Sequence, residues 1–335
     1  MRKIRVAQIG INQYSHAAQI FKTLTMHKDV FDIVGYALVE DEREVCAGKL
    51  GVFEGYKELL LEEILADKTI EAVIVETDEI HLNKYAIMAL RAGKHVHMEK
   101  PGSQSLSSFN ELISEAKSSD KVFHIGYMYR YNPIVLELEN RIKSGEFGKI
   151  HAIEAQMNCN QTTEARQWLS TFKGGMMFYL GCHLVDLILR ILGEPERIIS
   201  MNKSTGAAGI SSEDFGMALL EYEDGVSFVK CDGCEVGGYM RRQLVVVGSE
   251  GTVEIKPFEI MDDPKKLTVL TKGVVYKDKS WFDEGASIST EAFNRYGDMM
   301  LAFAAMVRGE RENPNTPDYE AMLFKTVMKC CGVEN

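Results

Sequence analysis

The chain has 335 residues, of which 45% are hydrophobic and 26% charged, as in ordinary globular proteins with room for two domains. The formal net charge of −11 argues against a nucleic-acid partner, and no long Lys/Arg run indicates a membrane-surface role. No apolar stretch approaches the roughly 20 residues of a membrane span, and residues 1–10 are typical of a first strand rather than a signal peptide. Seven cysteines, an odd number, fit reduced thiols, so we expect a cytoplasmic protein.

Strand-like apolar runs alternate with helical patterns up to about residue 126. Predicted strands lie at residues 3–9, 31–39, 71–75, 95–98 and 122–125. Predicted helices lie at residues 15–26, 58–66, 82–92 and 106–118. This βαβα alternation with short connections predicts a doubly wound parallel sheet.

The pattern changes after residue 126, so we expect two domains, at residues 1–126 and 127–335. Predicted strands, with the alternation typical of antiparallel sheets, lie at 150–157, 217–222, 226–231, 243–247, 252–255 and 267–270. Predicted helices lie at 134–142, 176–192, 290–307 and 319–331. The sequence therefore predicts an α/β domain followed by an α+β domain.

A lysine, Lys100, closely follows the predicted strand at 95–98 and stands between Glu99 and Pro101. In open parallel sheets ligands collect at the carboxyl ends of the strands, so we expect this lysine to face a cleft. Thr77 and Glu99 are candidate cofactor contacts, as is Lys100 itself. The alternative for Lys100 is a solvated lysine in a strand-to-helix turn.

The loop after the first strand carries part of a dinucleotide-binding pattern. Such a loop has three glycines, for a tight turn, for close approach of the pyrophosphate and for helix packing. Here only Gly10 matches, while Asn12 fills space that a glycine leaves open and Ser15 is small enough to allow the packing. The following helix N-terminus still offers free N–H groups to a phosphate. Gly10, Asn12 and Ser15 are therefore candidate cofactor contacts.

The second strand is expected to end in an acidic residue that binds the adenosine ribose. Leu38 stands at that position, and Glu40 follows two residues later. Glu40 is either a ribose ligand or an exposed charge at a helix start. Arg43 is the one arginine after this strand that is available to bind a 2′-phosphate, so NAD is favoured over NADP as the cofactor.

The Gly10 loop and three further segments together resemble the glucose–fructose oxidoreductase/inositol dehydrogenase/MocA family over nearly the whole chain. Segment 92–101, Ala-Gly-Lys-His-Val-His-Met-Glu-Lys-Pro, is very similar to that family's Glu-Lys-Pro segment. Segment 126–133 resembles the crossover into the family's second domain, and segment 174–186 resembles its Gly-Gly…Asp-x-Gly-x-His-x-x-Asp helix.

The resemblance implies an N-terminal Rossmann domain and a C-terminal domain with an open, mostly antiparallel sheet that often forms an oligomer interface. It also implies NAD(P)-dependent oxidation or reduction of a sugar, cyclitol or related hydroxyl compound. In this sequence Lys100 is the Glu-Lys-Pro lysine and His183 is the histidine of the second-domain helix. Tyr179 stands where the family has an acidic residue.

Alcohol oxidation needs a base with a pKa near the working pH, and a histidine starts near ~6.5. We assign His183 as proton acceptor and Lys100 as the charge that stabilises the reacting oxygen. Tyr179, four residues before His183, is a candidate to orient substrate or donate a hydrogen bond. Asp186 either orients the His183 ring or forms a salt bridge.

The connecting segment contains candidate substrate-binding residues, Tyr129 and Arg130, for which interdomain packing is the alternative. We therefore count Tyr129, Arg130 and Asp186 as candidate substrate contacts. No His, Cys and carboxylate cluster has metal spacing, and the Cys231–Cys234 pair lacks a second pair, so no metal is expected.

Two other functions stay open at this point. Some relatives use bound NAD in a redox-neutral glycoside cleavage or elimination. The loss of two loop glycines and of the carboxylate at Tyr179 also leaves a non-catalytic ligand-binding protein open. The expected partners are a small sugar or polyol and further copies of the chain, bound through the C-terminal sheet.

Overall fold

A computed structural model describes residues 2–333, and its fold confirms the predicted class: a parallel Rossmann sheet followed by a mostly antiparallel one. The chain divides into two compact units. The first takes the chain up to Tyr127 together with Tyr296–Phe324, and the second takes Met128–Arg295 and the chain from Lys325 on. The prediction of two consecutive segments, 1–126 and 127–335, did not include this return of the chain to the first unit.

The first unit is built on a five-stranded parallel sheet in the order β2-β1-β3-β4-β5. Its strands are β1 (Ile4–Ile9), β2 (Phe31–Ala37), β3 (Ala72–Val75), β4 (His95–Met98) and β5 (Phe123–Ile125). All four residues of β3 are buried, as expected for a central strand covered on both faces. The order reverses between β1 and β3, and ligands of such sheets bind beside this point at the carboxyl ends.

Helices connect these strands. They are α1 (Ala17–Met26), α2 (Glu42–Val45), α3 (Leu61–Ala66), α4 (Leu82–Arg91) and α5 (Leu106–Ser118). In α1 the buried residues Ala17, Ile20, Phe21 and Leu24 recur at helical spacing, so one face packs into the core. The helix predicted from residue 58 begins instead at Leu61, because backbone hydrogen bonding between Leu59 and Tyr36 keeps the preceding residues extended.

The second unit contains an eight-stranded sheet in the order β15-β14-β11-β10-β6-β9-β8-β7, antiparallel except for the β6–β9 pair. Its strands are β6 (Ile150–Gln156), β7 (Arg197–Lys203), β8 (Phe215–Tyr222), β9 (Gly225–Asp232), β10 (Gln243–Gly248), β11 (Gly251–Ile255), β14 (Lys272–Tyr276) and β15 (Ala286–Ser289). A three-stranded sheet consists of β12 (Ile260–Asp263), β13 (Thr268–Leu270) and β16 (Phe293–Asn294).

The helices of this unit are α6 (Pro133–Lys143), α7 (Thr163–Trp168) and α8 (Cys182–Leu192), and α8 packs on β6 and β9 of the large sheet. One π-helical turn, Met177–Gly181, leads directly into α8. The chain ends with α9 (Gly297–Val307) and α10 (Pro317–Cys330). The prediction that a helix begins at residue 290 was wrong, because Phe293 and Asn294 pair with β13.

In the described part of the chain no helix has the length and apolar character of a membrane span. All seven cysteines are unbridged, and Cys231 and Cys331 are buried.

Candidate active site

Gly10 lies immediately after β1, where its backbone closely approaches the β3–α4 connection. Its φ is +85°, and a Cβ here would lie 2.7 Å from Thr77 Cβ and 2.8 Å from Glu42 Oε1. The Gly10 N–H donates to the Ala37 carbonyl at the end of β2, at 2.8 Å. Both the positive φ and the lack of space require glycine, which is the role that the first glycine of a dinucleotide loop has.

Asn12 closes the loop that follows with its own side chain. Its Oδ1 accepts hydrogen bonds from the backbone N–H groups of Tyr14 at 2.6 Å and Ser15 at 3.2 Å. Its Nδ2 donates to Glu79 Oε2 at 2.7 Å, and Asn12 is almost fully buried. The side chain therefore links the loop amides to a carboxyl group on the β3–α4 connection.

Ser15 and Lys49 complete the loop in front of α1. Ser15 Oγ accepts from the Ala17 N–H at 3.3 Å, in the first turn of the helix. Lys49 Nζ donates to the carbonyls of Asn12 at 3.1 Å and Ser15 at 3.4 Å. A lysine ammonium thus lies against the loop from a segment that the sequence analysis did not single out.

Glu40 stands beyond the end of β2 with a φ of +51°, held by side chains of α4. Its Oε1 accepts from Lys84 Nζ at 2.7 Å and from the Tyr85 hydroxyl at 2.6 Å. These hydrogen bonds lower the pKa of Glu40, so it is ionised at neutral pH. The carboxylate lies at the strand end, as the sequence predicted, but it is bound by its neighbours.

Lys100 is buried, with only 2% of its surface exposed. It follows β4 on the carboxyl side of the sheet, and its Nζ lies 3.5 Å from Glu99 Oε1. The alternative of a solvated lysine is therefore not what the structure shows. Glu99 is also buried, and burial raises its pKa to about 7, against the opposing effect of the Lys100 charge.

Two further buried carboxyl groups, Glu76 and Glu79, lie on the same side of the sheet and were missed by the sequence analysis. Glu76 follows β3 directly, and neither residue has any exposed surface. Burial raises the pKa of each to about 8, with Lys100 acting in the opposite direction. A charged residue shortly after a buried strand was the signal that identified Lys100, and the same signal applies to Glu76.

Glu76 begins a chain of buried groups that runs along the sheet. Its Oε1 lies 3.6 Å from His97 Nε2, and His97 Nδ1 lies 2.8 Å from His124 Nδ1. Burial lowers the pKa of His97 to about 4, so this ring is neutral at neutral pH. Both histidines lie in the core, with almost no exposed surface.

In the second unit, Arg130 and Asp186 form a buried ion pair. Arg130 Nε donates to Asp186 Oδ2 at 2.9 Å, and Nη2 donates to Oδ1 at 2.8 Å. Both side chains are 2% exposed or less. Of the two alternatives for Asp186, the salt bridge is the arrangement that the structure describes, and it joins the connecting segment to α8.

His183 is the second residue of α8 and is almost fully buried. The Tyr129 ring meets the His183 ring edge-on, with ring centres 5.0 Å apart and planes at 82°. The Tyr129 hydroxyl donates to Glu259 Oε2 at 2.8 Å. Tyr129 is thus fixed at its hydroxyl and supports His183 with its ring.

Glu259, which the sequence analysis missed, is the buried anchor of this arrangement. It accepts from Arg295 Nε at 2.6 Å and Nη2 at 2.7 Å, and Arg242 lies 3.6 Å away. The pKa of Glu259 is lowered, since the arginine charges outweigh its burial. No motif marks Glu259 in the sequence, and its partners are remote along the chain.

Tyr179 is buried within the π-helical turn that precedes α8. Its ring meets the Trp168 ring edge-on at 5.3 Å, with planes at 90°. The π turn alters the regular α-helical spacing that was assumed between Tyr179 and His183. The structure therefore describes Tyr179 chiefly as a packed aromatic residue.

The first unit has the framework that a dinucleotide needs. Gly10 leaves room for no side chain, α1 presents its N-terminus beside the sheet, and Glu40 stands at the end of β2. A pyrophosphate binds at such a helix N-terminus through loop amides. Two of these amides, on Tyr14 and Ser15, are held by Asn12. Among the described residues no cluster of His, Cys or carboxylates has metal-binding geometry.

Two family profiles match the chain. One, described as an oxidoreductase family with an NAD-binding Rossmann fold, matches residues 4–127. The other, described as the GFO/IDH/MocA C-terminal domain, matches residues 135–254.

Similar proteins include curated enzymes and solved structures. Myo-inositol 2-dehydrogenase from Thermotoga maritima is 24% identical over 75% of this chain and 74% of its own length. Trans-1,2-dihydrobenzene-1,2-diol dehydrogenase from Danio rerio is 24% identical over 58% of this chain, which covers 57% of that enzyme. A 3-ketoreductase from Actinomadura kijaniata, solved with NADP and TDP-benzene, has a TM-score of 0.79 at 16% identity, covering 97% of this chain and 96% of that one. At that identity the structural likeness concerns the fold.

Proposed function

Because the chain belongs to the GFO/IDH/MocA family of oxidoreductases, we propose that it is an NAD(P)-dependent dehydrogenase acting on a CH–OH group. The proposed substrate is a sugar, a cyclitol or a related hydroxyl compound. The named relatives that oxidise such groups, an inositol dehydrogenase and a dihydrodiol dehydrogenase, support this substrate class.

The observation that carries the proposal is the burial of Lys100 beside the carboxyl ends of the parallel strands. Only 2% of the Lys100 surface is exposed. Burying a lysine ammonium costs desolvation free energy, and lysines without a functional or structural role are rarely buried to this extent. The positive charge of Lys100 interacts with three buried carboxyl groups, those of Glu76, Glu79 and Glu99. A desolvated ammonium is the group that stabilises an oxygen on which negative charge develops.

The chemistry divides between a hydride and a proton. The nicotinamide, when bound, accepts the hydride from the carbinol carbon. We assign Lys100 to the reacting oxygen and His183 to its proton, with the Tyr129 ring fixing the orientation of His183. Tyr179 has no proton-transfer role in this scheme, because its ring packs on Trp168.

NAD is the proposed cofactor rather than NADP. The carboxylate of Glu40 stands beyond β2, where the adenosine ribose binds in this class of sheet. An ionised carboxylate accepts a hydrogen bond from a ribose hydroxyl and repels a 2′-phosphate. Lys84 partly offsets that repulsion, so we expect a preference rather than exclusion.

We also propose that the chain forms a homo-oligomer through the large sheet of the second unit. Ile199 and Met201 on β7 are each 39% exposed, and they pair with Leu219 and Met217 on β8. Phe228 on β9 lies opposite Leu219. This face, defined by these five apolar residues, is the one that a second copy would cover.

The experiment is a turnover assay with a panel of cyclitols, sugars and diols, following the absorbance of reduced nicotinamide. Lys100→Ala is expected to lower kcat/KM at least ~100-fold, as loss of an oxyanion-stabilising group does, when turnover is measured at saturating dinucleotide. The exposed Lys117→Ala serves as the matched control. Turnover by Lys100→Ala equal to that of the control would overturn the assignment.

A further inference from the structure

The loop that would receive a dinucleotide is joined to a buried acid through one side chain. Asn12 Oδ1 accepts the Tyr14 and Ser15 amides, and Asn12 Nδ2 donates to Glu79 Oε2. A single side-chain amide thus separates the Glu79 carboxyl group from the amides that bind phosphate in such loops. The charge on Glu79 therefore contributes to the electrostatic potential at the place where the phosphates bind.

The charges around Glu79 come from several elements. Lys49 approaches from the 3₁₀ segment Ala47–Phe53, and Lys100 and Glu99 from the end of β4. Asp78 precedes Glu79 in the chain and adds a further negative charge. Glu76 also interacts with Lys100, so the acids outnumber the two lysines, and the two charges of a diphosphate would meet an excess of negative groups if Glu79 were ionised.

Deepening the proposed function, on which this inference rests, we propose that a dinucleotide binds this loop with Glu79 protonated, so that binding takes up a proton from solution. The proton goes to the carboxylate of Glu79 and removes one negative charge from the site. In the described part of the chain Glu79 Oε1 has no hydrogen-bond partner and no exposed surface. A protonated carboxyl group has an O–H to donate, which suits an anionic ligand.

The environment of Glu79 makes the free-energy cost of this protonation small near neutral pH. Burial raises the pKa of Glu79 to about 8, with the Lys100 charge opposing the shift. An anionic ligand raises this pKa further, so proton uptake occurs above the pKa of the free protein and vanishes well below it. The affinity for the dinucleotide is then independent of pH around pH 6.5. Above about pH 8 it falls by up to about tenfold per pH unit.

The test is calorimetric titration of the whole protein with NADH in two buffers of different ionisation enthalpy. At pH 8.5 the buffer dependence is expected to give an uptake of up to about three-quarters of a proton, and at pH 6.5 close to none. Glu79→Gln keeps an acceptor for Asn12 and is expected to abolish both the uptake and the fall in affinity. A flat affinity without uptake in the unmodified protein would overturn the inference.

Glu42→Gln is the matched control, because Glu42 is also buried beside Gly10 with its pKa raised to about 7 by burial. If Glu42→Gln, rather than Glu79→Gln, abolishes the uptake, the assignment to Glu79 is wrong. Asn12→Gly provides a second variant should Glu79→Gln not fold. Losing a donor to the carboxylate is expected to raise the pH at which affinity begins to fall, and an unchanged midpoint would contradict the proposal.

These outcomes separate the inference from the function on which it rests. Absence of NADH and NADPH binding at pH 6.5, where Glu79 is protonated, would overturn the proposed function. Binding at pH 6.5 and 8.5 with equal affinity and no uptake would leave that function standing and overturn the inference alone.

Discussion

Both oxygens of the Asp186 carboxylate accept hydrogen bonds from the Arg130 guanidinium, and neither side chain is exposed by more than 2%. The pair joins the 3₁₀ segment Met128–Tyr131 to α8, which carries His183. Breaking a buried pair leaves an uncompensated charge in the core.

Asp186→Asn is therefore expected to lower the free energy of unfolding of the protein by about 3–5 kcal/mol. The control is Glu221→Gln, which breaks the exposed Arg197–Glu221 pair and is expected to cost about 1 kcal/mol or less. Urea unfolding measures both. An Asp186→Asn protein as stable as the control, but slow in turnover, would instead favour a catalytic role for Asp186.

Two substitutions of Tyr129 test whether its ring or its hydroxyl group holds His183 in place. Tyr129→Phe keeps the ring contact and loses the hydrogen bond to the ionised Glu259, so we expect a stability loss of about 1.5–3 kcal/mol and turnover within a few-fold. Tyr129→Leu loses the ring and is expected to lower kcat roughly 10- to 100-fold, since a misplaced catalytic group costs about that much. Steady-state kinetics on both variants decides, and equal loss in the two would contradict the ring's role.

Glu76 predicts a specific pH dependence of stability. Its pKa is raised by burial to about 8 in the folded protein, so the folded state holds this proton more tightly than the unfolded chain does. Its stabilising contribution is full below the unfolded pKa of ~4.5 and is lost as the pH rises towards 8. Glu76→Gln is expected to unfold like the unmodified protein at pH 5 and to be more stable by roughly 2–4 kcal/mol at pH 8.

Thermal unfolding in the two buffers checks this prediction. His97 acts in the opposite sense at the acid end, because burial lowers its pKa from 6.5 to about 4, and its contribution to stability is lost as the pH falls from about 6.5 to about 4. A Glu76→Gln protein with no advantage at pH 8 would mean that the carboxylate is solvated there.

The apolar face of the large sheet predicts the assembly. Leu219→Glu places a charge at the centre of the face formed with Ile199 and Phe228, so light scattering should report a lower mass than for the unmodified protein. Lys68→Glu, at an exposed position of the first unit and away from this sheet, is the control and should leave the mass unchanged. An unmodified protein that is monomeric at assay concentration would contradict the proposal.

Much of the fold was predictable because its signals are local. Buried strand runs such as β3 and closing glycines such as Gly93 give the α/β half nearly complete. Strands β7 and β14 were missed, since one is an exposed edge strand and both mix polar with apolar residues. The helix at 290–307 failed because pairing of β16 with β13, a long-range contact, overrode the local pattern.

The candidate site was predictable only where chemistry follows a recognisable segment. Lys100 and His183 were found in this way. Glu259 was not found, because its role depends on ion pairs with Arg295 and Arg242, and these residues come close to it only in the folded chain. Glu79 was missed for a similar reason, since its link to the nucleotide loop runs through Asn12, which lies 67 residues away in sequence.

The central claim is hydride transfer between a hydroxyl compound and a nicotinamide, and isotope transfer tests it most directly. The protein is incubated with NAD and cyclitols or sugars deuterated at the carbinol carbons, and the dinucleotide is analysed by mass spectrometry. The account predicts reduced dinucleotide carrying one deuterium for at least one substrate, formed at least ~100-fold more slowly with Lys100→Ala. Substrate converted to product with no deuterium retained in a reduced dinucleotide would contradict it.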